Sequence, residues 1–110
     1  MKNTNDYGFY SGGYIFDRLD RAALRFAKQK WPELKKTQLY TSWSEIKFHK
    51  QLCALEGSKV HLDCYETFYG MSGETHEVCV YLTVPGHRIA SATFWFKVAK
   101  HNYCATNKGE

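Results

Sequence analysis

Two aspartates, Asp17 and Asp20, stand three residues apart in a stretch that opens with Ser11-Gly12-Gly13. If that stretch is helical, its first turn presents backbone N–H groups with no intrahelical acceptor, at the positive end of the helix dipole. Such amides can hold a developing oxyanion, and glycines let a carbonyl approach them closely. The amides around Gly12, Gly13 and Tyr14 are therefore candidates for an oxyanion hole. Asp20, about two turns further on, could activate water or attack a carbonyl itself. It shares a helix side with Phe16, Ala23 and Ala27, where partial desolvation would raise its basicity. The competing reading is an ordinary acid on the solvent face, and spacing alone favours it. Asp17 sits four residues before Arg21, so an i,i+4 ion pair accounts for it.

Other constellations are poor in chemistry. His49, His61, His87 and His101 show neither metal spacing nor a cluster, so no metal site is expected. G-x-S-x-G is absent, and no Ser/His/Asp or Cys/His arrangement is legible. The cysteines (Cys53, Cys64, Cys79 and Cys104) form no C-x-x-C pair, and three lie in apolar or alternating runs. Met1–Tyr7 is polar, so no signal peptide is expected, and a reducing, cytoplasmic setting is the simplest reading. No apolar run approaches the roughly 20 residues that span a bilayer. The net charge of +4 is spread along the chain without a basic stripe carrying stacking aromatics, which argues against nucleic acid. The same mild positive field suits an anionic small ligand with phosphates. Lys47, Lys50, Arg88, Lys97 and Lys100, at strand ends, are the basic candidates for it.

The elements that must position these groups emerge from periodicity. Ile15, Leu19, Ala22, Ala23, Phe26, Ala27 and Lys30/Trp31 recur at three- and four-residue steps, which predicts a helix over Gly13–Lys30. Ser11 offers a cap, and Pro32 ends the helix by forcing the preceding residue out of the α region. Beyond Thr37 the chain reads as strand: Thr37–His49, Lys59–Tyr69, Thr75–Val84 and Arg88–Ala99. Turns are expected at Gly70 with Ser72-Gly73, and at Pro85-Gly86. Short connections make the sheet antiparallel, and the helix stripe must bury itself on one sheet face. At 110 residues this is one α+β domain, with residues 101–110 expected to form a flexible tail.

Thr4-Asn5-Asp6-Tyr7-Gly8-Phe9-Tyr10-Ser11-Gly12-Gly13 resembles the T-N-x-H-G-x-x-x-G-G opening of hotdog-fold acyl-CoA thioesterases. Asp20 comes seven residues after Gly13, where those families carry a catalytic Asp, and Ala22-Ala23 come next. Ala92-Thr93-Phe94-Trp95-Phe96-Lys97-Val98-Ala99 is similar to the family's last strand, A-T-F-x-F-x-V-A. Ile46-Lys47-Phe48 resembles the I-x-F that ends an earlier strand, and Gly73-Glu74-Thr75 the G-x-T-S that begins a later one. The resemblance covers roughly residues 4 to 100.

The resemblance implies a hotdog fold, one long central helix wrapped by a curved antiparallel sheet of four to five strands. It implies hydrolysis of an acyl-CoA or acyl-carrier-protein thioester, with coenzyme A as part of the substrate and no other cofactor. Asp20 would be the catalytic carboxylate, supported by Gly13, Tyr7 and Thr75. Asn5, Gly12, Tyr14 and His76 would bind substrate. It also implies a homodimer with sites between protomers, and leaves a tetramer or hexamer open. Three departures stand out: Tyr7 replaces the usual His, His76 replaces the usual Ser, and few residues precede Thr4 where a first strand is customary. These departures leave a non-catalytic acyl-ligand binder as the alternative. A 3-hydroxyacyl dehydratase fits less well, because the opening motif and helix lack its catalytic His.

Overall fold

Ser11 sits in extended conformation and its side chain accepts a hydrogen bond from the Tyr14 amide at 3.2 Å, which starts the helix α1, Gly12–Lys30. Trp31 ends it with an extended backbone (φ −118°, ψ 88°), as the residue before proline must. A 3-10 turn, Pro32–Leu34, then leads to the sheet. The computed structural model describes residues 8–53, 55, 59–72 and 75–99. The expected tail, and the turn expected at Ser72-Gly73 beyond Ser72, lie outside those residues.

Four strands come after it: β1 (Leu39–Phe48), β2 (His61–Ser72), β3 (Thr75–Val84) and β4 (His87–Val98). They form one antiparallel sheet in the order β1-β4-β3-β2. Val84 pairs with His87 across Pro85-Gly86, and Gly86 has a φ of +81°. Proline locks the first turn position at negative φ and glycine takes the positive one, the combination a type II turn requires. Gly70 corrects one expectation: it lies inside β2, where the pairing register shifts between Glu66 and Met71, and not in a turn. Glycine within a strand often accompanies such an irregularity, because it adopts backbone angles other residues avoid.

Strict alternation on β3 puts Val78, Val80, Leu82 and Val84 on the face toward α1. Ala90, Ala92, Phe94 and Phe96 do the same on β4. The helix answers with Ile15, Leu19, Ala23 and Ala27, one stripe at four-residue steps, all buried. Alanines at two of the four positions keep that stripe low, and the stacked rings of Phe94 and Phe96 belong to the same buried cluster. Fully burying side chains of the Val, Leu or Phe size stabilises by about 1.5–3 kcal/mol each, so this one layer dominates folding. The opposite sheet face is more open and carries Trp43, Glu45, Tyr65 and Tyr81.

Candidate functional site

Two groups of the predicted residues come from α1. At its start, Tyr14 N–H is taken by Ser11 Oγ and Ile15 N–H by Ser11 O at 3.2 Å. The amides left without an intrahelical acceptor are those of Gly12 and Gly13. A Cβ on Gly13 would meet nothing within 4 Å, and one on Gly12 would touch only the Phe48 ring at 3.5 Å. Glycine is thus not forced by packing here, and its effect is to leave both amides approachable. The Tyr14 ring stacks on Tyr10 at 4.6 Å and its hydroxyl accepts from Arg18 at 2.9 Å, so its side chain is committed to the fold. Beside these amides lies a cavity of about 440 Å³, lined by Tyr10, Ser11, Gly12, Ile15, Phe48, His49, Lys50 and Gln51.

Asp20 lies two turns on and is half-buried. Thr41 Oγ1, from β1, donates to its Oδ1 at 3.2 Å. Thr41 was not anticipated from sequence: a threonine in a β-rich run says nothing about which helix residue lies opposite. Seven residues at 100° each return Asp20 to nearly the same helix side as Gly13, about 10 Å along the axis at about 1.5 Å per residue. A carboxylate and an oxyanion hole serving one carbonyl must lie far closer than that. Along one helix the candidate carboxylate and the candidate amides are therefore set about two turns apart.

The strand residues are divided. His76 is 6% exposed and packs its ring edge-on to Trp31 at 4.8 Å, with Nδ1 unpartnered among the described residues. A lone histidine in a strand is more often a surface residue, but even residues of β3 face the helix, and His76 is one of them. It shares a cross-strand row with Phe96 and Thr41. Two strand spacings put it about 10 Å from Thr41. Thr75 points to the other sheet face, away from Asp20. Asn5 and Tyr7 lie outside the described residues.

Elsewhere the chemistry is quiet. Asp17 and Arg21 form the expected ion pair at 3.0 Å on an exposed surface. Cys53, Cys64 and Cys79 are free. Burial, helped by the neighbouring Asp63 charge, pushes the Cys64 thiol up to about 11. The Tyr81 hydroxyl is raised above its ordinary range, first by a hydrogen bond with the Cys79 side chain. Among the described residues no group of three His, Cys, Asp or Glu is placed to hold a metal. No helix among them is long and apolar enough to cross a membrane.

No protein-family model matches the chain, and no curated protein does. Solved structures do match. A hypothetical thioesterase from Streptococcus pneumoniae, solved as a Thr-to-Ala and as an Asp-to-Ala mutant, superposes with a TM-score of 0.67 at 19% identity, covering 90% of this chain and 75% of that one. A thioesterase from Thermus thermophilus complexed with coenzyme A and Zn gives 0.72 at 12% identity, over 89% and 72%. A Streptococcus mutans protein bound to acetyl CoA gives 0.63 at 23% identity, over 88% and 72%. The helix on a four-stranded antiparallel sheet is the hotdog fold of these proteins. This chain is a hotdog-fold domain.

Proposed function

We propose that the protein hydrolyses acyl-CoA or acyl-carrier-protein thioesters, with Asp20 as general base or nucleophile and the Gly12 and Gly13 amides as oxyanion hole. The observation that carries this reading is the half-buried Asp20 carboxylate, which accepts from Thr41 on the same helix side as two amides that have no intrahelical acceptor. The fold shared with thioesterases, and with proteins solved with coenzyme A or acetyl CoA, supports it.

The axial gap between the amides and Asp20 bears on assembly. A homodimer that brings one protomer's Asp20 to its partner's helix N-terminus would supply both parts to one carbonyl. Water, or the carboxylate itself, then adds to the thioester carbon while the amides stabilise the oxygen. Collapse of the adduct expels the thiol; an acyl-carboxylate, where formed, is cleared by water. Free cysteines fit a reducing, cytoplasmic setting.

Thiol release measured over short, medium and long acyl-CoAs tests the reading. Wild-type protein should turn over part of the panel, and Asp20→Ala should lose at least about a hundredfold in kcat/KM, as removal of an activating group does. Equal turnover in the variant would remove Asp20 from the mechanism. The departures at Tyr7 and His76 favour a second reading, an acyl-ligand binder without turnover. Tight acyl-CoA binding with no thiol release from wild type would select it.

A further inference from the structure

The end of the sheet next to the helix N-terminus gathers basic side chains. Lys50 Nζ lies 3.0 Å from His87 Nδ1, and His49 Nε2 lies 3.0 Å from Ser91 Oγ. Backbone geometry fixes this meeting: the His49 and Lys50 amides converge on the Ile89 carbonyl, at 2.7 and 3.2 Å. His87 enters from the Pro85-Gly86 turn, and the next residue, Arg88, lays its guanidinium 4.5 Å over the Tyr81 ring.

An ammonium has donors and no acceptor, so a hydrogen bond at this 3.0 Å contact runs from Lys50 Nζ to His87 Nδ1. The pair then offers solvent nothing but N–H donors and a positive charge. Surface lysines commonly lie against a carboxylate. Among the described residues the ion pairs are Asp17–Arg21 and Lys30–Glu66, and neither involves this corner. His49 and Lys50 also line the cavity of about 440 Å³ whose other wall is Ser11 and Gly12. The helix N-terminus adds its own positive end to the same space.

We propose that Lys50 and His87 form a subsite for a phosphate or pyrophosphate group at the mouth of this cavity, from which the rest of the ligand runs toward Gly12. The inference deepens the thioesterase reading, and rests on it only for the identity of the acyl thioester beyond the phosphate. Coenzyme A, the phosphopantetheine arm of a carrier protein and free pyrophosphate share the recognised chemistry.

Calorimetric titration of the full chain with coenzyme A, 4′-phosphopantetheine, pantetheine and pyrophosphate separates these sources. Lys50→Gln and His87→Ala should each lower the ratio of coenzyme A to pantetheine affinity about tenfold, the effect of one charge-assisted bond. Lys35→Gln, which removes an equal charge beyond the helix C-terminus, should leave the ratio unchanged. Lys50→Arg should keep most of it. Phosphopantetheine binding as tightly as coenzyme A, and sensitive to the same variants, would support the subsite with a carrier arm as its source. Weak pyrophosphate binding lost in both variants would support it as well. An unchanged ratio in Lys50→Gln, or an equal fall in Lys35→Gln, would overturn it. Thiol release is read separately: a Lys50-dependent ratio without turnover rejects hydrolysis and keeps the subsite, and turnover with an unchanged ratio does the reverse.

Discussion

At the residue scale, Asp20 and Thr41 carry the reading. Their 3.2 Å contact is long for an O–H···O bond and lies in an exposed setting, so it orients the carboxylate more than it stabilises the fold. Thr41→Val should therefore lower kcat about threefold to tenfold with little change in KM or in thermal stability. Thr41→Ser, which keeps the hydroxyl, should restore the rate; equal loss in both variants would make Thr41 a packing residue. Cys64 gives a second test. Its thiol is pushed up to about 11, so it stays protonated in the folded state where an ordinary cysteine has begun to ionise. A raised pKa favours the native state below the unfolded value of 9.0 and loses that contribution as pH climbs toward about 11. Alkylation and peptide mass analysis at pH 8 should find Cys64 labelled slowly in native protein and quickly in urea. Fast native labelling at pH 8 would contradict the shift.

At the scale of elements, two small devices set the helix and the hairpin. The Ser11 cap satisfies one otherwise unpaired amide, and Ser11→Ala should cost about 1 kcal/mol. For a domain of this size that is a fall in Tm of about 4–8 °C. Gly86→Ala forces an L side chain to a φ of +81° in the β3–β4 turn and should cost about 1 kcal/mol or more, although space beside it is open. Denaturant melts read both; a Gly86→Ala midpoint equal to wild type would mean the turn changes type to accommodate it. The β2 register shift belongs to this scale too. It places Met71 and Ser72 opposite His76 and Thr75, so β2 meets the buried His76 through an irregularity while β3 itself keeps simple alternation.

At the scale of the whole molecule, the proposed site needs Asp20 and the Gly12 and Gly13 amides, which stand about two turns apart on one helix, to meet at one carbonyl. Among the described residues β2, of 12 residues, is the last strand on one side of the sheet. A terminal strand is where another chain can pair with a sheet. Light scattering across a dilution series should give a dimer mass; a monomer at all concentrations would leave the site incomplete. A mixing experiment is sharper. If each site takes Asp20 from one protomer and amides from the other, Asp20→Ala combined with Gly13→Val after co-refolding should regain about one quarter of wild-type activity, the share expected when half the dimers carry one intact site. No recovery from folded, mixed dimers would place both parts in one chain.

The sequence by itself determined the elements and their faces. Apolar steps of three and four from Ile15 to Ala27 left no other use for that segment than a helix lying on the sheet, and Thr75–Val84 alternates so strictly that β3 could be bounded to the residue. Asp20 was legible as a carboxylate on a partly apolar helix side, because helix geometry fixes which residues share a side. Tertiary structure alone decided that Thr41 meets Asp20, that His76 is buried beneath Trp31, and that Lys50 meets His87 across 37 residues of chain. Those contacts depend on strand order and register, which non-local pairing sets and which no local spacing encodes. The two-turn separation of the amides and Asp20, by contrast, was already in the sequence, because helix rise fixes how far apart residues on one helix stand.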